Sequence, residues 1–197
     1  IVSVANGSRG DWPRSSARRS IRAEGRSLGG LVPGTTYHYS IAGGPDYTFH
    51  APPTSSFRFD AIGDVGDTVN FSKLGATLDN ISADDPSFVL MVGDLTYANS
   101  TTMAAVDQHF NDVMGWSTRA AYIPAWGNHE YDVAGSDDLR NYKGRLLMPH
   151  AAASPGSPAI SSGGNDWGWF DAGPVRFIAY PEPWTGAWSD WQSKAGP

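Results

Sequence analysis

Three apolar segments of the sequence each end at a glycine followed by an oxygen-bearing side chain, and this repeated pattern constrains the fold more than any other feature. Phe88–Val92 is an unbroken apolar run, typical of a strand buried on both faces of an α/β sheet. It ends at Gly93-Asp94. Two other segments end in the same way: residues 57–62 lead into Gly63-Asp64-Val65-Gly66, and residues 121–126 lead into Gly127-Asn128-His129-Glu130.

The order of these segments predicts where their polar tips lie. Open α/β sheets place their chemistry at the carboxyl ends of the strands, which meet at one edge of the sheet. We therefore predict an α/β fold for residues 57–197, a layered mixed β-sheet with flanking helices. In this fold Asp64, Asp94 and Asn128 lie at one edge, with Asp94 on the central strand.

The segments between and after these strands have helical and hairpin patterns. Residues 67–78 and 99–116 carry apolar side chains at helical spacing, and residues 80–86 read as a loop. His109 falls off the apolar face of the second helix, which predicts a surface or interfacial histidine. Residues 167–180 read as a β-hairpin that turns at Ala172-Gly173.

Residues 1–53 are poor in helix signals and are broken by glycine and proline. The pattern Leu-x-Pro-Gly-Thr-x-Tyr-x-Tyr, at residues 31–39, resembles the penultimate strand of fibronectin type III-like sandwiches, in which such a tyrosine forms the tyrosine corner. A complete sandwich needs about 100 residues, so we expect residues 1–53 to be the C-terminal part of such a domain. Residues 52–56 then read as a short, stiff linker.

The composition of the 197-residue chain argues against several classes of protein. No run approaches about 18 apolar residues, so no membrane-spanning helix is expected, and residues 1–20 carry no signal peptide. Cysteine is absent, which excludes disulfides and thiolate sites. Residues 60–197 hold seven basic and seventeen acidic residues, a balance of −10. So acidic a region is a poor binder of nucleic acid, and we expect no nucleic-acid partner.

Asparagine sequons are more frequent than a chain with this content of serine and threonine gives by chance. Four of the eight asparagines lie in Asn-x-Ser/Thr sequences: Asn6, Asn70, Asn80 and Asn99. This excess favours a secreted glycoprotein, and we expect an extracellular location.

The three tips carry side chains suited to metal binding. Asp64, Asp94 and Asn128 offer hard oxygen ligands, which suit Mn, Fe, Zn or Mg. Two metals about 3.5–4 Å apart can clamp the attacking and leaving oxygens of a phosphoryl transfer, and Asp94 on the central strand is the natural bridge between them. The alternative for any single tip is ordinary turn chemistry. Glu130 is interpreted as a residue that orients ligands and does not itself react.

The three tips together resemble a known family. Gly-Asp-x-Gly at 63–66, Gly-Asp-x-x-Tyr at 93–97 and Gly-Asn-His-Glu at 127–130 are similar to the first three of five signatures of the calcineurin-like metallophosphoesterases. The tyrosine of the second motif, and the fibronectin-like segment ahead of it, are similar to the purple acid phosphatase branch.

This resemblance implies roles for individual residues. Asp64, Asp94 and Tyr97 would bind a ferric ion, with Asp94 bridging to a divalent metal (Zn, Mn or Fe) held by Asn128. His129 would hydrogen-bond the phosphate and help protonate the leaving group. From its chemistry alone, Tyr97 fits because phenolate is a hard anionic ligand that suits ferric iron. Ordinary core packing remains the alternative for Tyr97.

The sequence departs from the family pattern in its histidines. The family completes its site with three more histidines, in Val-x-x-His and Gly-His-x-His motifs. Of the five histidines, only His129 has a motif context; the others are His38, His50, His109 and His150. We therefore expect either a fragment truncated at both ends or a degenerate homologue. Residues 1–197 alone are expected to be a poor phosphatase.

Two functions of different classes follow from these observations. The first is a secreted acid phosphatase that hydrolyses phosphomonoesters, in which metal-bound hydroxide attacks phosphorus while His129 aids the leaving alkoxide. The second is a non-catalytic extracellular structural or binding glycoprotein that reuses the metallophosphoesterase fold. The expected partners are small phosphate esters, and the sequence leaves a homo-oligomer open.

Overall fold

The structure is a computed structural model that describes residues 2–5, 28–66, 71–97, 103–131, 145–146, 148–152 and 166–179. The elements in chain order are β1 (Val2–Ala5), β2 (Thr36–Ile41), β3 (Tyr47–His50), β4 (Phe59–Ile62), α1 (Phe71–Asp84), β5 (Phe88–Val92), α2 (Met103–Asp112), α3 (Met114–Ser117), β6 (Ala121–Ala125), α4 (Asn128–Tyr131), β7 (Gly168–Ala172) and β8 (Val175–Ala179).

The three strands predicted to end at Gly63, Gly93 and Gly127 form one parallel sheet. Its order is β4-β5-β6, with β5 in the centre. Leu90 is paired with Ala61 on one side and with Ile123 on the other. The prediction that these strands are adjacent, with Asp94 after the central one, is therefore confirmed.

The parallel sheet is covered on both faces. Successive side chains of a strand point to opposite faces, and in β5 Val89 and Met91 are fully buried in the helix-side core with Leu78 and Val106. Phe88 belongs to a second core on the other face, which contains Ile123, Ala172 and, around them, Phe57, Phe170 and Phe177. Two-sided burial explains why β5 is an unbroken apolar run.

The second core is built with the β-hairpin. β7 and β8 pair antiparallel, with Phe170 opposite Phe177, and the turn contains Gly173 in a left-handed conformation with φ of +52°. The predicted hairpin is confirmed. The rings of Phe88 and Phe177 meet edge to face, with centroids 5.2 Å apart.

Helix α1 is longer than predicted. The predicted loop 80–86 is wrong for residues 80–84, because α1 continues through them to Asp84. Leu78 and Ile81 are both buried, so the apolar stripe runs one turn further along the helix. The helix stops where Asp85 adopts a left-handed φ of +48° and Pro86 follows.

The described part of the second predicted helix consists of α2 and α3, and residues 98–102 lie outside the described residues. His109 was predicted to lie at the surface or at an interface, and the surface alternative is wrong. His109 is only 5 % exposed and shares the inward face of α2 with Val106, and Val113, just after the helix, is buried too. Its Nε2 lies 2.8 Å from the hydroxyl of Tyr122 on β6, and this polar partner allows the imidazole to be buried.

The amino-terminal strands form a separate antiparallel sheet with order β1-β2-β3. The Tyr39 hydroxyl on β2 donates a hydrogen bond to the Thr118 carbonyl, 2.8 Å away, just ahead of β6. The His50 imidazole on β3 lies 3.9 Å from the Asp85 carboxylate, just ahead of β5. This sheet thus contacts the amino ends of the parallel strands, opposite the tips. Among the described residues, none of the helices has the length and apolar character needed to cross a bilayer.

Candidate functional site

The aspartates that follow β4 and β5 have an unusual backbone conformation. Asp64 has φ of +54° and Asp94 has φ of +50°, a left-handed region that aspartate tolerates better than most side chains. The two turns are joined by backbone hydrogen bonds, since the Asp64 amide donates to the Gly93 carbonyl (3.2 Å) and the Val65 amide to the Asp94 carbonyl (3.1 Å). The two carboxylates therefore emerge side by side.

Tyr97 contacts both carboxylates. Its hydroxyl donates a short hydrogen bond to Asp64 Oδ1 and lies 3.5 Å from Asp94 Oδ2. The hydrogen bond to Asp64, followed by burial and the charges of Asp64 and Asp94, raises the pKa of the Tyr97 phenol well above its ordinary value. Three oxygens from two neighbouring loops thus lie close together, and the phenol keeps its proton and donates it to the carboxylates.

His129 lies against the same group. Its ring centroid is 4.2 Å from that of Tyr97, and its backbone amide donates to Asp94 Oδ1 at 3.1 Å. Asp94 therefore contacts Tyr97 through one oxygen and the α4 backbone through the other. Asn128 begins α4 immediately beside His129, but the Asn128 side chain lies outside what the structure describes.

Glu130 links the segment after β5 to the segment after β6 through hydrogen bonds to backbone amides. It is fully buried, and its Oε2 accepts the amides of Asp94 (2.9 Å) and Gly127 (2.8 Å). Its Oε1 accepts the amides of Leu95 (2.8 Å) and Thr96 (3.4 Å). Burial raises the pKa of Glu130 to about 7, while the N–H groups of Gly127, Leu95 and Thr96 lower it and the charge of Asp94 raises it. All four partners are donors, so these hydrogen bonds favour the ionised form, while burial opposes it.

Two glycines of the motifs are required by close approach of the loops. A Cβ at Gly127 would lie 2.2 Å from Asp94 Oδ1 and 2.4 Å from the Asp94 amide nitrogen. A Cβ at Gly66 would lie 2.3 Å from both the Thr96 Cα and the Tyr97 amide nitrogen. Sequence reasoning did not single out Gly66, although its place in the Gly-Asp-x-Gly motif was a signal. Both contacts pack the tips so closely that no side chain fits between them.

The structure brings Asp64, Asp94, Tyr97 and His129 together at the carboxyl edge of the sheet. Across the described part of the chain, no three His, Cys, Asp or Glu side chains cluster as a metal site. The converging set is instead two carboxylates and one phenol, all hard oxygen donors. Such donors fit a hard ion such as ferric iron. The structure also shows the backbone amides that bind Glu130, which the sequence could not indicate.

Comparisons with known proteins show the family of the chain. Residues 57–193 match the model of the calcineurin-like phosphoesterase family, and the chain belongs to that family. Among similar curated proteins, purple acid phosphatase 22 of Arabidopsis thaliana is 33 % identical over 128 residues, which cover 62 % of this chain and 29 % of that protein. Phosphoenolpyruvate phosphatase of Allium cepa is 32 % identical over 145 residues, covering 63 % and 28 %.

A solved structure gives the same fold. The purple acid phosphatase from yellow lupin seeds superposes with a TM-score of 0.57 at 23 % sequence identity, covering 75 % of this chain and 30 % of that one. The chain spans less than a third of the length of these three relatives.

Proposed function

We propose that the protein is an acid phosphatase that hydrolyses phosphomonoesters at a centre holding a ferric ion and a divalent metal (Zn, Mn or Fe). The observation that carries the proposal is the Tyr97 hydroxyl placed between the carboxylates of Asp64 and Asp94. Asp64, Asp94 and Tyr97 would hold the ferric ion, and Asn128 with Asp94 the divalent one. When bound, the two metals would supply an activated water and neutralise charge on the phosphoryl group.

The side chains of the chain itself would bind and protonate the substrate. His129 lies beside the ligand group, where its imidazole would hydrogen-bond the phosphate and deliver a proton to the leaving alkoxide. Packing against the Tyr97 ring would restrict the orientation of the imidazole. The hydrogen bond from the His129 amide to Asp94 Oδ1 would fix the distance between the His129 imidazole and the metal ligands.

The names of the relatives support a phosphate ester as substrate. They include a phosphoenolpyruvate phosphatase from Allium cepa and a nucleotide pyrophosphatase/phosphodiesterase from Hordeum vulgare. Both activities act on phosphate esters or anhydrides, so the shared chemistry is attack at phosphorus. We infer phosphomonoesters because most of the similar proteins are phosphatases by name.

The test combines turnover with a spectroscopic signature of the phenolate. The intact protein, supplied with ferric and divalent ions, should hydrolyse p-nitrophenyl phosphate at acid pH and show a visible phenolate-to-iron absorption band. Tyr97→Phe should lose the band, and Asp94→Ala should lose both band and turnover. A wild-type protein without turnover or bound metal would overturn the proposal and favour a non-catalytic extracellular glycoprotein.

We also propose that residues 1–53 are the C-terminal part of a fibronectin type III-like sandwich. The support is the buried Tyr37, whose hydroxyl accepts a hydrogen bond from the Val32 amide at 2.9 Å. A tyrosine hydroxyl bonded to backbone a few residues upstream is the tyrosine corner of such sandwiches. Tyr37→Phe should destabilise this sheet selectively, as measured by hydrogen exchange of β2 and β3 amides. Unchanged exchange would contradict the assignment.

We propose, finally, that the protein is secreted and glycosylated. The support is the sequon at Asn80, whose side chain is exposed on α1. Asn6, Asn70 and Asn99 lie outside the described residues. Native material treated with an N-glycosidase should lose mass, and Asn80→Gln should remove one glycan. The bare polypeptide mass in untreated native material would contradict secretion through a glycosylating pathway.

A further inference from the structure

We propose that Glu130 is the positioning residue that holds the two ligand-bearing loops of the centre in register, an inference that rests on the proposed function. One loop carries Asp94 and Tyr97, and the other, which runs from Gly127 into α4, carries Asn128, His129 and Glu130 itself. The Glu130 carboxylate is fully buried between them and is the acceptor of hydrogen bonds from both: from Asp94, Leu95 and Thr96 on one side and from Gly127 on the other.

The chemistry of the four contacts requires this side chain. A carboxylate presents two oxygens that accept hydrogen bonds and no donor, whereas an amide of the same shape replaces one oxygen with a donor. A donor facing the amides of Asp94 and Gly127, or those of Leu95 and Thr96, would leave buried N–H groups without partners. Both oxygens are therefore needed, one for each pair of amides.

The position of the bonded amides links Glu130 to the ligands. The Asp94 amide belongs to the residue whose left-handed φ of +50° aims its carboxylate at Tyr97. The Gly127 amide precedes Asn128 directly, and Gly127 touches Asp94 too closely to admit a methyl group. Releasing the Glu130 carboxylate would free both loops at once. The distance between Asp94 Oδ1 and the His129 amide would then no longer be fixed.

A substitution that keeps the shape tests the positioning role. In the intact protein, Glu130→Gln should lower the affinity for ferric and divalent ions by about 10–100-fold, the range for residues that orient metal ligands. Affinity is measured by competition with a chelator. The control is Ile81→Ala, a core variant on α1 near the opposite end of the sheet. It should lower stability and leave metal affinity unchanged. Glu130→Asp keeps the charge, but its shorter side chain cannot reach both loops, and it should also lose affinity.

Hydrogen exchange in the metal-free protein provides a measurement that is independent of activity. The amides of Asp94, Leu95 and Gly127 lie outside helices and strands, so an unbonded loop would exchange them rapidly. We expect them to exchange slowly, and about 10–100-fold faster in Glu130→Gln, as loss of a buried hydrogen bond implies. The Ile123 amide in β6 should not change.

The outcomes separate the two proposals. Rapid exchange of these three amides in the wild type would overturn the role of Glu130, whatever the metal affinity. A Glu130→Gln variant with lowered stability but wild-type metal affinity would overturn it as well, leaving a purely structural role. Slow exchange in a wild-type protein that binds no metal would overturn the proposed function while leaving the Glu130 hydrogen bonds in place.

Discussion

The two ends of the parallel sheet are held by different kinds of interaction. At the carboxyl end, loops touch backbone to backbone and are joined by the buried Glu130 carboxylate. At the amino end, long exposed arginines reach the last carbonyls of α1: Arg58 donates to the Asp84 carbonyl (2.7 Å) and Arg119 to the Ser82 carbonyl (3.1 Å). The Tyr39 hydrogen bond to the Thr118 carbonyl lies at this end too.

This difference predicts which end of the sheet tolerates substitutions. Contacts between backbones leave no atom free to move aside, so the carboxyl end should respond to a single added methyl group. Contacts made by flexible side chains near solvent can rearrange, and water can replace them. Geometric precision is therefore concentrated at the end that carries Asp64, Asp94, Tyr97 and His129.

The largest effect is expected from Gly127→Ala. The new Cβ would lie 2.2 Å from Asp94 Oδ1 and 2.4 Å from a backbone nitrogen, so the loops must separate. We expect a loss of about 3 kcal/mol in the free energy of unfolding, and loss of metal binding in the folded protein. Urea unfolding and chelator competition measure the two quantities.

The matched control for that substitution is Gly75→Ala. Gly75 lies inside α1, and nothing lies within 4 Å of its added Cβ. Alanine there should raise the free energy of unfolding by about 0.5–1 kcal/mol, because glycine is a poor helix former. If Gly127→Ala is tolerated as well as Gly75→Ala, the two ends do not differ in the way described.

The next effect concerns the helix layer between the two ends. Burial lowers the pKa of His109 to about 4, from an ordinary value of 6.5. When the pH falls below about 6.5, His109 therefore binds a proton in the unfolded chain but not in the folded protein. The resulting loss of stability grows until about pH 4. Between pH 7 and pH 5 we expect a loss of about 2 kcal/mol in the free energy of unfolding.

His109→Gln provides the check on this pH dependence. Glutamine does not titrate and can still hydrogen-bond the Tyr122 hydroxyl. Denaturant unfolding of both proteins at pH 7 and pH 5 gives the difference, which should be smaller in the variant by about 2 kcal/mol. Equal pH dependence in both would show that His109 is not the titrating group.

The sequence predicted the carboxyl end better than the layers around it. Asp64 and Asp94 could be placed together because each follows a strand of one parallel sheet, and topology then fixes their neighbourhood. The resemblance of the motifs added Tyr97 and His129 to the same site. The burial of His109 could not be predicted in this way. It depends on a hydroxyl from Tyr122, a residue of another element, and the helical pattern carries no information about that partner.

The same limit applies to Glu130. Its partners are backbone amides, which every residue except proline possesses, so no residue type marks them. Residue type does not mark the left-handed conformations of Asp64 and Asp94 either. The sequence does contain a signal for the full length of α1, because Ile81 continues the apolar stripe of Leu78. The polar residues around Asn80 favoured a loop there instead.

A smaller effect is expected where the amino-terminal sheet contacts the parallel strands. Tyr39→Phe removes the hydroxyl that donates to the Thr118 carbonyl. The expected loss is about 1 kcal/mol in the free energy of unfolding, without a change in metal affinity. Tyr47→Phe, on the same sheet, is the control because no described residue accepts a hydrogen bond from that hydroxyl. An altered metal affinity in Tyr39→Phe would show that the two ends are coupled.

The smallest effects should come from the two exposed arginines at the amino end. Arg58→Gln and Arg119→Gln each remove a cation beside the last turn of α1, where the helix dipole favours positive charge. Each should cost about 0.5 kcal/mol at low ionic strength, and less in added salt, because exposed charges are screened. The two carbonyls lie two residues apart in the same turn, so the double variant measures the coupling between the two arginines. Metal affinity should stay at the wild-type value in all three variants.

Thermal unfolding with and without added salt measures these losses. A single variant that lost as much stability as Gly127→Ala, or lost it equally in high salt, would show that this end too depends on precise and buried contacts.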